Sequence, residues 1–271
     1  MQPGQAPMLG QPMPACQAQT WPQGPSHPRL AQGELEIWWA DLATASDEVL
    51  TSLSADERRR SDRFPNTQDG LLWARSRGVL RALLSRYEKV EPATVVLRLG
   101  RNGKPALATP ERDPHVAFNL SHSGPLALYA FSRAGPVGVD AQRAPVRAID
   151  HAAIAARLLG AWEGRRLSQL DPAERQREFL RMWSRTEAAL KCRGSGLGDV
   201  ADVLADHPYG EAADAGLWVA QLELGIGAAG AVALEHAPRE QRYWSWSAQA
   251  RLPVAPMVSA TLATAVVDGE A

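Results

Sequence analysis

Cysteine is scarce in this sequence, because the 271 residues include only Cys16 and Cys192. Neither belongs to a CxxC or Cys/His pair with the spacing of a zinc site, which argues against a zinc-binding domain. A disulfide between the two cysteines is an alternative that the sequence leaves undecided, although nothing in the pattern favours it. A reducing cytoplasm is the simpler expectation for this chain.

Long apolar segments and a strong charge of one sign are also missing. No apolar run approaches the length needed to span a membrane, and the N-terminus lacks the charged-then-apolar order of a signal peptide. The formal net charge is −1 at pH 7. We therefore expect neither nucleic acid nor a membrane as a partner.

The composition that remains is that of an ordinary soluble globular protein, with 45% hydrophobic and 22% charged residues. Residues 1–32 are rich in Pro, Gln and Gly without apolar periodicity, which predicts a disordered tail. Residues 253–271 are expected to be loosely held. The length between these ends is enough for one large domain or two small ones.

Strand-like alternation and helical stripes follow one another along the rest of the chain, which predicts an α+β fold. Ser54 followed by Asp56 and Glu57 is a typical helix start, and Asn102-Gly103 indicates a tight turn. The predicted strands are 33–42, 94–99, 116–120, 126–131, 137–140, 217–224, 228–234 and 243–250. Residues 121–125 are predicted to form a turn. One predicted helix begins at Ser54, and three others cover 68–87, 149–170 and 172–193.

The two halves of the chain resemble each other. The run 73–81 matches 183–191 in its Trp, Arg and Leu positions. The predicted hairpin 118–130 aligns with 222–234, and each hairpin follows its helix in the same order. Coincidence between amphipathic helices would explain a match this short. The shared order of helix and hairpin favours a duplicated α+β unit, and we divide the chain into subdomains at 33–143 and 144–252.

The copies differ where chemistry is expected. Arg77 occupies the position that Glu187 has in the second copy, and Ser121-His122 stands where the second hairpin has Gly225-Ile226. A duplicated unit with unequal polar residues favours a single site. Such a site would use the hairpin of one half and the helix of the other.

Four segments carry a more specific pattern. They are Gly103-Lys104-Pro105, Phe118 to Gly124 (FNLSHSG), Val137 to Asp140 (VGVD) and Trp183 to Leu197 (WSRTEAALKCRGSGL). In this order and at these separations, the set resembles the Sfp-type 4′-phosphopantetheinyl transferases. The resemblance covers about residues 50–197 well and the rest of the second half loosely.

The resemblance implies two similar α+β subdomains in a pseudo-twofold arrangement, with the site at their interface. It implies a holo-[acyl-carrier-protein] synthase type of activity, in which the phosphopantetheine arm of coenzyme A moves to a serine of an apo acyl or peptidyl carrier protein. The implied cofactor is Mg²⁺, or alternatively Mn²⁺. A monomer is expected, because the duplicated halves can build the site within one chain.

The resemblance also assigns roles to individual residues. Glu187, Lys191 and His122 are the implied catalytic residues, and Asp140 and Glu187 the implied metal ligands, with Gln142 a doubtful third. The implied contacts to coenzyme A come from Lys104, Ser121, His122, Lys191 and one or two arginines of the 58–63 cluster, for which we name Arg60 and Arg63.

The sequence departs from the family pattern at three places. Gln142 stands where a glutamate is usual, and a neutral amide binds Mg²⁺ more weakly than a carboxylate does. Thr186 replaces a lysine, and the family's His-Arg pair is not found around Leu71-Leu72-Trp73. The nucleotide contacts in that helix are therefore open.

Plainer interpretations exist for these residues. Glu187 and Lys191, four apart on a helix, are more often a solvated ion pair, Asp140 could cap a turn, and Lys104 could be a surface lysine. For the whole chain, the alternatives are a coenzyme A or carrier-protein binding module without activity, favoured by Gln142, and a structural protein that kept the duplicated unit.

Overall fold

Nine strands and five α-helices make up the part of the chain that the computed structural model describes, which is residues 21–108, 116–145, 149–195, 216–225 and 227–247. The strands are β1 (Glu34–Asp41), β2 (Leu97–Leu99), β3 (Pro105–Leu107), β4 (Ala117–Ser123), β5 (Leu126–Ser132), β6 (Val137–Arg143), β7 (Trp218–Glu223), β8 (Ala228–Leu234) and β9 (Glu240–Ser245). The helices are α1 (Ala55–Ser61), α2 (Thr67–Glu88), α3 (His151–Leu158), α4 (Ala161–Ser168) and α5 (Pro172–Arg193). The predicted α+β class is confirmed.

Local signals set the helix boundaries. Ser54 and Glu57 form a capping box at the start of α1, and Asp171 caps α5 with Pro172 in its first turn. Gly194 ends α5 in the left-handed conformation. The helix predicted over 149–170 is in fact α3 and α4, because Gly160 adopts a positive φ of 107° between them.

Two sheets pack between two long helices. The first sheet has the order β4-β5-β1-β9 and the second the order β6-β8-β7. Trp38, Tyr129 and Phe131 of the first sheet pack on α2, while its opposite face, with Ile37, meets Val139 of the second sheet. Alanines of α5 cover the outer face of the second sheet. The layers follow in the order α2, first sheet, second sheet, α5.

The strand pairing shows a duplicated topology. In each unit a first strand, β1 or β6, precedes the helices and pairs antiparallel with the second strand of a later hairpin, β5 or β8. The predicted boundary at 143/144 is therefore one strand too late. Although β6 follows β5 closely, it pairs with β8 and opens the second unit.

The last strand crosses back to the first unit. β9, which we placed in the C-terminal subdomain, pairs in parallel with β1 in the first sheet. Arg242 on β9 contacts Glu34 (3.0 Å) and Glu36 (3.3 Å) of β1. No single boundary along the sequence assigns every strand to its sheet, because β9 returns to the first sheet.

Two site segments also differ from their predicted positions. The predicted turn over 121–125 is confined to Gly124-Pro125, because β4 continues to Ser123 by pairing with β5. Ser121 and His122 are therefore strand residues whose side chains point to opposite faces. Asp140 lies inside β6 rather than at its end, since pairing with β8 continues to Arg143.

The N-terminal tail is shorter than predicted. Trp21 is 4% exposed and packs against Tyr243 with the two rings tilted by 56° and their centres 5.0 Å apart. Leu30 joins the core beneath α2. Backbone bonds join Gly24 and Pro22 to Ser245 on β9. Residues 21–32 are therefore part of the fold, whereas 1–20 and 253–271 lie outside the described residues, as does Cys16. Cys192 is a buried free thiol.

We expect removal of residues 1–32 to destabilise the protein, because it takes away Trp21, Leu30 and the backbone partners of β9. Trp21→Ala alone should cost about 3–5 kcal/mol of unfolding free energy, as is usual for a buried tryptophan. Denaturant-induced unfolding of both variants measures this. Removal of residues 1–20 is the matched control and should leave the unfolding free energy nearly unchanged. Equal stability of the two truncated chains would contradict the packing role of residues 21–32.

Candidate functional site

Asp140 is a buried carboxylate where the two units meet, with 1% of the residue exposed. Its Oδ1 accepts hydrogen bonds from Lys191 Nζ at 2.5 Å and Ser121 Oγ at 2.7 Å. Its Oδ2 accepts from Gln142 Nε2 at 2.8 Å. A buried carboxylate is costly unless it is paired and hydrogen-bonded, and these donors provide both. The structure thus brings four of the predicted site residues together.

The approach of α5 to β6 depends on Gly138. A Cβ atom added to this residue would lie 2.0 Å from the carbonyl oxygen of Ala188 and 2.4 Å from the backbone nitrogen of Cys192. Such distances are far inside van der Waals contact, so a side chain would force the helix away. The glycine of the Val137-to-Asp140 segment therefore allows Lys191 to reach Asp140.

Glu187 lies on the same side of α5 as Lys191, as their spacing predicted. Burial raises the pKa of Glu187 above its usual value; the positive charge of Lys191 opposes this shift, and the negative charge of Asp140 adds to it. Glu187 is therefore partly buried and close enough to Asp140 and Lys191 for their charges to act on it. A carboxylate with a raised pKa is better suited to accept a proton than a solvated one.

The residues present fit a divalent cation of the Mg²⁺ type. In the part of the chain that the structure describes, no group of three or more His, Cys, Asp and Glu side chains is arranged to hold a metal ion. Two electrostatically coupled carboxylates, Asp140 and Glu187, are nevertheless a sufficient protein contribution, since Mg²⁺ usually keeps water and substrate phosphates in its shell. The amide of Gln142 donates to Asp140, so its role as a ligand stays a prediction.

Lys104 is directed at backbone carbonyl groups. Its Nζ donates to Val137 O at 2.9 Å and to Lys191 O at 2.6 Å, and burial lowers its pKa. Carbonyl groups near a helix C-terminus attract cations, and Lys104 fills this position at the end of α5. The two carbonyls take two of the three N–H donors of the ammonium, which leaves one for the phosphate contact that we predicted.

A cleft of about 340 Å³ opens beside this junction. Both Ser121 and His122 line it, and burial lowers the pKa of His122, with the charge of Lys191 acting in the same direction. Of the two predicted arginines, Arg60 lines the cleft, whereas Arg63 is not among the described residues that do. A neutral His122 near pH 7 would contact phosphate by donating a hydrogen bond.

A second, larger cleft of about 1140 Å³ lies on the other side of the β2–β3 hairpin and is lined by Arg98 and Arg193. Lys104 is among the described residues that line it, whereas Arg60, Ser121 and His122 are not. Asp140 and Glu187 are among the described lining residues of neither cleft. We assign the candidate site to the smaller cleft, because three of the predicted coenzyme A contacts, Arg60, Ser121 and His122, line it.

Sequence reasoning named Arg60 but missed its partner Trp73 and a charged cluster in this cleft. Glu57 binds two buried guanidinium groups, that of Arg77 at 3.0 Å and that of Arg81 at 2.7 Å, which leaves one positive charge in excess. The Arg60 guanidinium lies 5.5 Å from the ring centre of Trp73, within the range of cation–π contact. The one available signal was that Arg77 replaces the Glu187 of the second copy.

Thr186, the third departure from the family pattern, serves its own helix. Its Oγ1 donates to the carbonyl oxygen of Met182 at 3.1 Å, and the residue is 2% exposed. The last two residues of the Trp183-to-Leu197 motif, Gly196 and Leu197, lie outside the described residues. No helix of the described chain is long and apolar enough to cross a membrane.

Comparison with family models divides the chain at the same place as the strand topology does. Residues 38–133 match the model of the 4′-phosphopantetheinyl transferase N-terminal region. Residues 136–217 match the model of the 4′-phosphopantetheinyl transferase superfamily. The two matches meet in the loop between β5 and β6, in agreement with β6 as the first strand of the second unit.

Curated relatives carry the same family name. The chain is 30% identical over 187 residues to the 4′-phosphopantetheinyl transferase HetI of Nostoc, which covers 68% of this chain and 78% of HetI. It is 26% identical over 152 residues to Sfp of Bacillus subtilis, covering 56% of this chain and 65% of Sfp. It is 33% identical over 123 residues to AcpT of Escherichia coli K12, covering 45% of this chain and 60% of AcpT. With both units matched in order, the chain belongs to the 4′-phosphopantetheinyl transferase superfamily.

Proposed function

We propose that this chain transfers the 4′-phosphopantetheine arm of coenzyme A to a serine of an apo acyl or peptidyl carrier protein and releases 3′,5′-adenosine bisphosphate. The observation that carries the proposal is the convergence on one junction of Asp140, Glu187 and Lys191 from the second unit with Ser121 and His122 from the first. We extend the proposal to the holo-[acyl-carrier-protein] synthase type of this reaction.

The cleft suits the nucleotide end of coenzyme A. The excess positive charge of Arg77 and Arg81 around Glu57, together with Arg60, favours a phosphate group there. The partly exposed ring of Trp73 provides an apolar face beside these cations. From this end, the pyrophosphate would extend along the cleft toward Ser121 and His122.

Asp140 and Glu187 would hold Mg²⁺ or Mn²⁺, which when bound supplies positive charge to the phosphate oxygens. Lys191 Nζ, 2.5 Å from Asp140 Oδ1, fixes that carboxylate and adds a cation at the same place. Lys191 and His122 would stabilise charge on the transferred phosphate group. Lys104, through its two carbonyl contacts, keeps the end of α5 in position.

Glu187 is the group best placed to accept the proton of the attacking serine, directly or through a water molecule. As the proton leaves, the serine oxygen forms a bond to the phosphorus that bears the pantetheine arm. The bond from that phosphorus to the oxygen of the bisphosphate breaks, and the bisphosphate leaves. The remaining contribution of the site is positioning and charge stabilisation.

A coenzyme A or carrier-protein binding module without activity is the second candidate. Gln142, which stands where a carboxylate is usual, is the observation that favours it. Its amide donates a hydrogen bond to Asp140. The two carboxylates proposed to hold the cation, Asp140 and Glu187, do not include this residue. A monomeric state and a cytoplasmic location stay expectations from the sequence.

The test is transfer to several apo carrier proteins, read by mass spectrometry with Mg²⁺ present. We expect the carrier mass to rise by one phosphopantetheine group, and Asp140→Ala or excess chelator to abolish the change. Glu187→Gln should lower the rate by about 10²–10⁴-fold, as is usual on loss of a general base, and more than Lys191→Ala does. Binding of coenzyme A without transfer to any carrier would support the inactive module.

The pKa shift of Glu187 predicts a pH-dependent effect on stability. A glutamate whose pKa is raised on folding favours the folded state only while protonated, and this contribution is lost as the pH rises through the folded pKa. In chelator at pH 7.5, Glu187→Gln should therefore unfold at a higher denaturant concentration than the natural chain. Below the unfolded pKa, near pH 4, the difference should vanish.

Saturating Mg²⁺ is the control for that measurement. A bound cation favours the carboxylate, so it should stabilise the natural chain and reverse the order of the two proteins. A glutamine variant that is less stable than the natural chain in chelator at pH 7.5 would contradict the inferred surroundings of Glu187.

Arg60 and Arg63 form a matched pair for testing the cleft. Both are exposed arginines next to α1 or at its end, but of the two only Arg60 lines the cleft. Arg60→Ala should weaken coenzyme A binding about tenfold or more, in line with a charged hydrogen bond to phosphate, while Arg63→Ala should change it less than twofold. Calorimetric titration with coenzyme A measures both, and equal effects would place the nucleotide elsewhere.

A further inference from the structure

The strands that carry the two halves of the site are neighbours from different sheets. β4 is the outer strand of the first sheet, and β6 is the outer strand of the second. Outer strands present backbone N–H and C=O groups that no strand on that side pairs with. The junction between β4 and β6 must therefore satisfy these groups in another way.

Side chains of β4 provide this connection. Asn119, Ser121 and Ser123 alternate along the strand and so share one face. Asn119 Oδ1 accepts a hydrogen bond from the N–H of Val139 at 2.8 Å, and Ser123 Oγ accepts one from the N–H of Arg143 at 3.1 Å. Between them, Ser121 Oγ donates to Asp140 Oδ1. The segment of β6 that carries Asp140 is therefore held on both sides.

The two backbone contacts differ in their surroundings. Asn119 and Val139 are buried, with 3% and 0% exposed, so no solvent can replace the amide oxygen if it is lost. The contact between Ser123 and Arg143 lies at the exposed end of the strands, where water can take the place of the serine. Of the two contacts from β4 to the β6 backbone, that of Asn119 is therefore the one that water cannot replace.

We propose that Asn119 is a positioning residue for Asp140: its side-chain oxygen fixes the β6 backbone one residue before the carboxylate and so sets the geometry of the ion site. The inference rests on the proposed function and adds to it a residue that touches neither substrate nor ion. Residues that orient metal ligands typically change metal affinity or activity about 10–100-fold when they are replaced.

Three variants separate this role from general stabilisation. Asn119→Leu has nearly the same size but lacks the acceptor oxygen, whereas Asn119→Asp keeps an acceptor at the same place. Ser123→Ala removes the exposed contact and serves as the control. The measurements are Mn²⁺ binding by calorimetry without coenzyme A, the amide exchange rate of Val139 by NMR, and the transfer rate.

For Asn119→Leu we expect Mn²⁺ affinity and the transfer rate to fall about tenfold or more, faster exchange of the Val139 amide, and coenzyme A affinity within about twofold of the natural chain. Asn119→Asp should restore the slow exchange and bind Mn²⁺ at least as tightly as the natural chain. Ser123→Ala should leave Mn²⁺ affinity and the transfer rate within about twofold. Mn²⁺ binding and amide exchange test the inference independently of transfer. If the natural chain transfers nothing, that result rejects only the proposed function.

A leucine variant that is less stable but binds Mn²⁺ and transfers like the natural chain would show that Asn119 is merely structural and overturn the inference. Failure of Asn119→Asp to restore Mn²⁺ binding would overturn it as well. If Asn119→Leu does not fold, Asn119→Ser, whose hydroxyl is shorter than the amide, is measured in the same way. Unchanged Mn²⁺ affinity in that variant would reject the proposal, and a drop of about tenfold would support it.

Discussion

The hydrogen-bonded ion pair between Asp140 and Lys191 joins a strand, a helix and, through Ser121, the neighbouring unit. A carboxylate taken out of water is tolerated only when its oxygens find donors, and here the donors come from three different elements. Gly138 permits the close packing that lets Lys191 reach the strand. The pair thus fixes α5 on β6, and Glu187 takes its place in the site because it lies one turn before Lys191 on the same helix.

Duplication places opposite charges at matching positions of the proposed site. Arg77 on α2 and Glu187 on α5 are at matching positions in the repeated helix, yet they carry opposite charges. Around Arg77, Glu57 and Arg81 leave a positive excess that suits phosphate. Around Glu187, Asp140 adds a second carboxylate that suits a divalent cation. The same helix of the repeated unit therefore provides two complementary halves of one site.

Strand exchange makes the two units inseparable. β9 leaves the second unit and pairs with β1, where Arg242 contacts Glu34 and Glu36, and residues 21–24 then cover β9. A cleft between independently mobile units would change shape with each fluctuation. Here β6 pairs with β8, and β9 pairs with β1, so each pairing joins segments far apart in the sequence. The fold therefore sets the arrangement of Arg60 and His122 relative to Asp140.

The sequence by itself determined the α+β class, the bounds of α2, α5 and the second hairpin, and four polar residues that meet in the structure: Ser121, Asp140, Gln142 and Lys191. The class and the bounds follow from local physics, through the caps Asn66 and Asp171 and the apolar period of each helix. The polar residues were identified through the family resemblance. The tertiary structure alone decided which sheet β6 and β9 join, because strand pairing joins residues far apart in sequence and leaves no local signal. It also decided that Lys104 points at carbonyl groups, that Arg60 rather than Arg63 lines the cleft, and that Asn119 holds Val139. Each of these depends on where a side chain points once two distant segments have packed, and no periodicity in the chain encodes that direction.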